Sequence, residues 1–378
     1  MKVAVVNLAC DPSLSTPDAV LDAYHSLTGW CAALERAGAS VSAVQVFGEP
    51  ALRRRDGVDY HFCRPSSSRL TVSPDVVDAV ASVQADVVHV NGLDAPLQTW
   101  WLRRALPGST ALVVQDHASV PSRAVSVKAP IRRRAMAAVD GFLFTSLLQA
   151  KPWLDGGFIR SAEQVYEVLE ASTSMAAFPP ATARAGTGTG GSPSVLWVGR
   201  LTPNKDPLTV LAGFTEALAD LPEAMLTMIF GDGTLLPDVQ RRVDSSGLNG
   251  RVRLVGSVPH ESLASWYSAA DVFVLGSHRE GSGYAAIEAC ACGAVPVLTD
   301  IPSFRMLTGG GAVGALWRPG SPSDLATALV NVCRADLPAH RIRVREHFET
   351  SLSWPVVGQR AYAVYQRVLE GRRRARLA

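Results

Sequence analysis

The sequence predicts an α/β protein of two domains, each built around a doubly wound parallel sheet. Three observations support this prediction. The chain has 378 residues, which is too long for one ordinary core. Short apolar or β-branched runs alternate with polar-faced helical segments, as is typical of βαβ units. Residues 181–194 are rich in Gly, Ser and Thr, the composition of a flexible connector between two domains.

The first half of the chain contains five runs that predict buried parallel strands. These runs are residues 3–8, 41–47, 86–90, 111–114 and 141–144. Between them, polar-faced segments such as 75–85 and 97–106 predict helices. Thr16 and Pro17 predict the start of a further helix that continues through Ala37 and ends at Gly38. We therefore expect a first domain over residues 1–180.

The most informative stretch of the second half joins a predicted strand at 271–276 to a helix at 284–292. Glu280 lies in the loop between them, and Glu288 follows eight residues later, in the helix. Such a loop lies at the carboxyl ends of the strands, where open α/β sheets bind ligands. Its glycines give access to free N–H groups at the helix start, which suit a phosphate.

A second strand-to-helix loop, after the predicted strand 195–198, brings two cations to the same edge of the sheet. Asp206 and Pro207 predict the N-cap and first turn of a helix, so Arg200 and Lys205 both lie in the loop before it. A fork-shaped guanidinium and a compact ammonium together suit a diphosphate. The alternative is two loop cations that face solvent.

The spacings Arg200-x4-Lys205 and Glu280-x7-Glu288 resemble those of the retaining GT-B glycosyltransferases of family 4, the glycosyl transferases group 1. Ser282 stands where that family usually has Phe. The resemblance implies two Rossmann-like domains facing across a cleft, with a nucleotide diphospho-sugar as donor. It also implies transfer to an acceptor hydroxyl with retention of configuration, without a metal or other cofactor. The absence of an Asp-x-Asp motif agrees with that last expectation.

The resemblance also assigns roles to individual residues. Glu288 is expected to hold the ribose hydroxyls, and Glu280 the sugar. Arg200 and Lys205 are expected to neutralise charge on the leaving diphosphate, and His117 to steady the transferred sugar. The catalytic residues implied are therefore His117, Arg200, Lys205 and Glu280. The donor-binding residues implied are Gly199, Gly231, Ser257, Val258, Gly281, Ser282, Gly283, Tyr284 and Glu288.

The acceptor stays open, because the loop after the first strand departs from the family pattern. Residues 9–17 hold prolines and serines where a Gly-Gly pair is usual. A small polar molecule or natural-product precursor is the favoured acceptor, and a lipid-linked sugar or polysaccharide end is the alternative. Two other classes stay open as well, a nucleotide-sugar-binding protein without turnover and a nucleotide-sugar epimerase.

The net charge and the lengths of the apolar runs limit the classes of partner that the sequence predicts. The net charge of +2 gives no strong field for nucleic acid, and no apolar run reaches the length of a membrane span. The sequence predicts a cytoplasmic protein, with the arginines at 132–134 on a solvated helix face favoured over contact with a membrane surface. We expect a nucleotide-binding domain over 195–353 and a last helix, within 354–378, that returns to the first domain. The oligomeric state is left open.

Overall fold

The computed structural model describes residues 1–68, 70–121, 129–231 and 233–377. The chain forms two compact units. Unit 1 comprises Met1–Ser172 and Trp354–Ala378, and unit 2 comprises Thr173–Ser353. Each unit is built around one mainly parallel sheet, so the predicted α/β class with two parallel-sheet domains is confirmed.

Unit 1 holds an eight-stranded sheet in the order β3-β4-β2-β1-β5-β6-β7-β8. Its strands are β1 (Lys2–Asn7), β2 (Ser40–Val46), β3 (Ala51–Arg55), β4 (Val58–Cys63), β5 (Val87–Asn91), β6 (Ala111–Gln115), β7 (Gly141–Phe144) and β8 (Val165–Glu167). Its first helices are α1 (Pro17–Ala23), α2 (His25–Arg36), α3 (Pro74–Val83), α4 (Pro96–Ala105), α5 (Ala129–Met136) and α6 (Leu147–Asp155). All strand pairs are parallel except β3 with β4.

Two predictions for this unit need correction. The helix expected from Pro17 through Ala37 is two helices, because Tyr24, with φ −93° and ψ 59°, departs from helical geometry between them. The strands β3 and β4 were not predicted. The β3 strand lies antiparallel at the edge of the sheet and is largely exposed, so its arginines give no buried apolar pattern to recognise.

Unit 2 holds a six-stranded, wholly parallel sheet in the order β11-β10-β9-β12-β13-β14. Its strands are β9 (Ser194–Gly199), β10 (Met225–Phe230), β11 (Val252–Gly256), β12 (Val272–Leu275), β13 (Val295–Thr299) and β14 (Ala315–Trp317). Its helices are α7 (Pro180–Thr187), α8 (Pro207–Ala217), α9 (Leu236–Ser245), α10 (Leu263–Ala269), α11 (Tyr284–Ala291), α12 (Pro302–Leu307), α13 (Pro322–Arg334) and α14 (Leu337–His347).

The stretch 181–194 is not a flexible connector, and this prediction is wrong. Pro180 begins α7, which ends where Gly188 adopts a left-handed φ of 61°. From this helix, Arg184 forms an ion pair with Asp271 at 2.6 Å and donates to the carbonyl oxygen of Ala269 at 3.0 Å. The Gly/Ser/Thr-rich residues therefore lie at the end of a helix that packs within unit 2. The boundary between the units lies earlier, between Ser172 and Thr173.

The last helix, α15 (Trp354–Leu377), belongs to unit 1. It packs closely on α2, since a Cβ on Gly358 would overlap the backbone of Ala33. Deeper in the unit, the Tyr365 hydroxyl lies 2.6 Å from Nδ1 of His89, and both side chains are fully buried. His89 is therefore a hydrogen-bonded residue of the core. None of the helices in the described residues combines the length and apolar character needed to cross a bilayer.

The strand orders determine where each unit can bind a ligand. In unit 1 the order reverses between β1 and β5, and in unit 2 it reverses between β9 and β12. At such a switch point the loops that follow the two strands diverge to opposite faces of the sheet and leave a crevice at the carboxyl ends. The loops after β9 and β12 are the two that hold Arg200, Lys205 and Glu280.

Candidate functional site

The loops after β9 and β12 are held against each other at the switch point of unit 2. The backbone N–H of His278 donates to the carbonyl oxygen of Asn204 at 2.8 Å, and the Asn204 amide donates to the carbonyl oxygen of Arg279 at 2.9 Å. Gly276 permits this approach, since a Cβ there would lie 2.9 Å from the carbonyl oxygen of Asp206. The geometry of one loop therefore fixes that of the other.

This contact brings together two residues that lie 75 positions apart, Lys205 and Glu280, as an ion pair. Their side chains are only 18% and 12% exposed. Asp206 adopts a left-handed φ of 43°, and its side chain caps α8 by accepting from the N–H of Thr209 at 3.2 Å. The N-cap predicted at Asp206 is therefore confirmed, and the cap fixes the direction in which Lys205 leaves the loop.

Arg200 lies in the same loop, directly after β9, and its side chain is exposed. Within the described ranges it has no ion-pair partner, in contrast to Lys205. Its full charge is therefore available to a ligand at this edge of the sheet.

The start of α11 directly follows the loop after β12, at the same edge of the sheet. Gly283 caps this helix in the left-handed region, with φ 77° and ψ 62°. Gly281, Ser282 and Gly283 are buried, and Tyr284 is partly exposed. The first N–H groups of a helix have no intrahelical partner, and the helix dipole adds positive potential there. A helix start of the kind that can bind an anion thus follows the loop that also holds Glu280.

Glu288, in α11, is 2% exposed and both of its carboxylate oxygens are engaged. Nε2 of His260 lies 2.8 Å from Oε1, and the Tyr267 hydroxyl donates to Oε2 at 3.0 Å. The role expected of Glu288 in holding the ribose hydroxyls stays a prediction, and its two partners were not predicted from the sequence. His260 and Tyr267 precede a strand and a loop that separate them from the glutamate, so no local spacing connects the three.

The remaining predicted donor residues lie at the same carboxyl edge of the sheet. Gly199 ends β9, and a Cβ there would lie 3.3 Å from the ring of Trp197. Gly231 follows β10 and precedes Asp232, which lies outside the described residues, while Ser257 and Val258 follow β11. Their contacts with a donor stay predictions.

The switch point of unit 1 holds a cavity of about 420 Å³. It lies beyond the carboxyl ends of β1, β5 and β6, and His117 is part of its wall. The polar side chains that line it are Asn7, Tyr24, Ser26, Asn91, Asp94, Gln98 and His117. Because these groups are mostly neutral donors and acceptors, the cavity suits a hydroxyl-bearing molecule.

Carboxylates surround His117. Its Nδ1 lies 3.0 Å from Oε2 of Glu170. Burial is the largest single influence and lowers the pKa of His117, but the charge and hydrogen bond of Glu170, together with the charges of Asp116 and Asp94, raise the net pKa above its usual value. Asp116, the preceding residue, is buried, and burial raises its pKa to about 6. The sugar contact expected of His117 stays a prediction.

In the part of the chain that the structure describes, no three His, Cys, Asp or Glu side chains are grouped so that they could hold a metal ion.

Residues 192–335 match the family model described as glycosyl transferases group 1. The chain is 29% identical over 266 residues to the GDP-mannose:cellobiosyl-diphosphopolyprenol alpha-mannosyltransferase of Xanthomonas oryzae pv. oryzae (strain PXO99A), covering 66% of this chain and 64% of that relative, slightly under two thirds of its length. It is 26% identical over 315 residues to the phosphatidyl-myo-inositol mannosyltransferase of Mycobacterium leprae (strain TN), covering 80% of each chain.

Among solved structures, the chain is similar to Anabaena HepE in complex with UDP and glucose. The TM-score is 0.70 at 16% identity, over 97% of this chain and 100% of that one. This likeness shows the fold, and the family match covers most of unit 2. The predicted recognition is confirmed: the chain has the GT-B fold, and its residues 192–335 match the glycosyl transferases group 1 family.

Proposed function

We propose that this chain is a glycosyltransferase that moves a sugar from a nucleotide diphospho-sugar to an acceptor hydroxyl, with retention of configuration and without a metal. The observation that supports this proposal most is the pairing of Lys205 with Glu280 at the switch point of unit 2, beside the start of α11. A cation and a row of backbone N–H groups can bind the diphosphate of a nucleotide sugar. A carboxylate beside them can accept hydrogen bonds from the hydroxyls of the sugar.

The donor diphosphate would accept hydrogen bonds from the first turn of α11 and from Arg200 and Lys205. Glu280, held by Lys205, would accept from hydroxyls of the sugar. The family match to residues 192–335 supports a donor site in this unit, and the UDP and glucose bound to HepE support a nucleotide sugar.

In the proposed reaction, the bond between the anomeric carbon and the β-phosphate oxygen breaks, and its electron pair leaves with the diphosphate. The acceptor oxygen bonds to the anomeric carbon on the face that the phosphate leaves, and its proton passes to the departing phosphate oxygen. Arg200 and Lys205 would stabilise the negative charge that grows on the diphosphate, which is the role a divalent ion has in other transferases.

The acceptor would occupy the polar cavity of unit 1. A polyhydroxy group, such as a sugar or a cyclitol, fits its neutral donors and acceptors. Two relatives are named for acceptors of this kind that are carried on lipids, a cellobiosyl-diphosphopolyprenol and a phosphatidyl-myo-inositol. We propose a sugar or cyclitol hydroxyl as the acceptor, free or carried on a lipid.

A thermal-shift panel of UDP-, GDP-, ADP- and dTDP-sugars tests the donor. The correct donor at a hundredfold over its Kd should stabilise the folded chain by about 2.7 kcal/mol. The same donor incubated with the chain in EDTA should release free nucleotide slowly, by hydrolysis. NMR of the product formed with an added cyclitol or sugar should show the anomeric configuration of the donor.

Each contrary result has a defined meaning. Binding without nucleotide release would indicate a nucleotide-sugar-binding protein without turnover. An altered sugar nucleotide formed in the absence of acceptor would indicate an epimerase. Release that EDTA abolishes and Mg²⁺ restores would contradict metal independence, and an inverted product would contradict retention.

A further inference from the structure

The buried carboxylate of Glu288 is the centre of a hydrogen-bond network that spans two helices and a short turn. Tyr267, in α10, is fully buried and bonds to one carboxylate oxygen. His260 bonds to the other, from the first position of the 3₁₀ turn His260–Ser262. A buried carboxylate needs such donors in place of water, and the two together fix its orientation.

His260 differs from Tyr267 in its exposure, since 42% of the His260 side chain faces solvent. Its ring lies nearly parallel to that of Tyr284, with an interplanar angle of 19° and 6.3 Å between centroids. It also lies two residues after Val258, in the loop that is predicted to meet the nucleotide base. The imidazole is therefore the part of the network that an arriving ligand would meet first.

The hydrogen bond to Glu288 raises the pKa of His260 above its usual value, although partial burial opposes this effect. The other groups that act on the imidazole are the Glu288 and Glu261 carboxylates, which both favour its charged form. Nε2 of the imidazole is the atom placed to donate to Oε1 of Glu288.

We propose that His260 is a positioning residue for the ribose of the sugar nucleotide. This inference rests on the proposed function, in which Glu288 accepts from the ribose hydroxyls. Each carboxylate oxygen can accept two hydrogen bonds, so one acceptor position on each stays available after His260 and Tyr267 have donated. His260 holds the carboxylate so that these acceptor positions face the ribose. Without it, the carboxylate of Glu288 keeps one donor and can rotate away from the ribose.

The experiment compares nucleotides with and without ribose hydroxyls on the full chain. UDP and GDP, each with its 2′,3′-dideoxy analogue, are titrated by calorimetry into the unsubstituted chain, His260→Ala and His260→Gln. His260→Ala should weaken binding of the better diphosphate about tenfold and leave its dideoxy analogue within twofold. His260→Gln places an N–H donor at a similar reach and should restore most of the lost affinity.

Glu261→Ala is the matched control, because Glu261 is exposed and lies in the same 3₁₀ turn. It should bind all four nucleotides as the unsubstituted chain does. In a Glu288→Gln background, adding His260→Ala should cost no further affinity. In turnover, His260→Ala should raise KM for the donor with kcat changed less than KM.

Equal loss for the ribose and dideoxy nucleotides would overturn this inference, because it would indicate a general structural role. Unchanged affinity in His260→Ala would overturn it as well. If neither UDP nor GDP bound to the unsubstituted chain, and the wider donor panel also failed to shift its stability, the proposed function itself would fail and this inference with it.

Discussion

Arg200→Ala is expected to lower kcat/KM for sugar transfer by about a hundred- to a thousandfold and to leave stability unchanged. Removing one group that stabilises the charge of a transition state costs about 3 kcal/mol in comparable sites. Arg200 is exposed and has no ion-pair partner in the described part of the chain, so its loss removes no internal contact of this kind. The effect should therefore appear in turnover, not in the melting temperature.

The matched control is Arg242→Ala, another exposed arginine of unit 2, located on α9. Initial rates in EDTA and melting curves are measured for both variants. Near-normal turnover in Arg200→Ala would contradict the proposed role of this guanidinium.

Lys205→Ala also tests the role of the cations, but it is expected to lower stability as well as activity. Lys205→Ala should lower transfer by a similar factor, but it also leaves the Glu280 carboxylate, 12% exposed, without its cation. Removing the cation beside such a buried carboxylate costs about 1–3 kcal/mol of stability. Adding Glu280→Gln should recover the stability and not the activity. If the double variant regained transfer, the ion pair would be structural only.

Gly283→Ala is expected to lower the free energy of unfolding by about 3 kcal/mol or more, from left-handed strain and overpacking combined. Gly283 has a φ of 77°, and a Cβ there would overlap the ring of Phe304. Phe304 is fully buried, so its ring cannot move without disturbing the core. The start of α11 would shift, and diphosphate binding should weaken with it.

Gly231→Ala is the control for this substitution. A Cβ on Gly231 would meet no atom of the described residues within 4 Å, so the stability of Gly231→Ala should differ from that of the unsubstituted chain by less than about 1 kcal/mol. Urea denaturation of both variants provides the comparison. If Gly283→Ala and the unsubstituted chain unfolded with the same urea midpoint, the helix start would tolerate a side chain and this prediction would be wrong.

The buried strands were predictable because parallel strands covered on both faces read as continuous apolar runs. The run at 141–144, for example, coincides with β7. The break of the first helix at Tyr24 was not predictable, since its neighbours on both sides favour helix. The prediction of a flexible connector at 181–194 failed because glycine is common both in flexible linkers and at the ends of helices. Gly188 ends α7 in this way.

From the sequence, Lys205 and Glu280 could be expected to lie at the same edge of the sheet, but their ion pair could not be predicted. Two loops that follow neighbouring parallel strands meet at one edge, and the helix start after each loop could be recognised from its capping residues. The partners of Glu288 could not be predicted in this way. Tyr267 and His260 reach it across the interior of the unit, so the network depends on packing between helices and not on sequence spacing.

The position of the diphosphate tests the central claim most directly, and a crystal structure of the full chain soaked with the donor identified by the stability panel would give it. We expect the phosphate oxygens within hydrogen-bond distance of Arg200, Lys205 and the backbone N–H groups at the start of α11. A diphosphate bound away from these groups, or held to the chain through a metal ion, would contradict this account of the site.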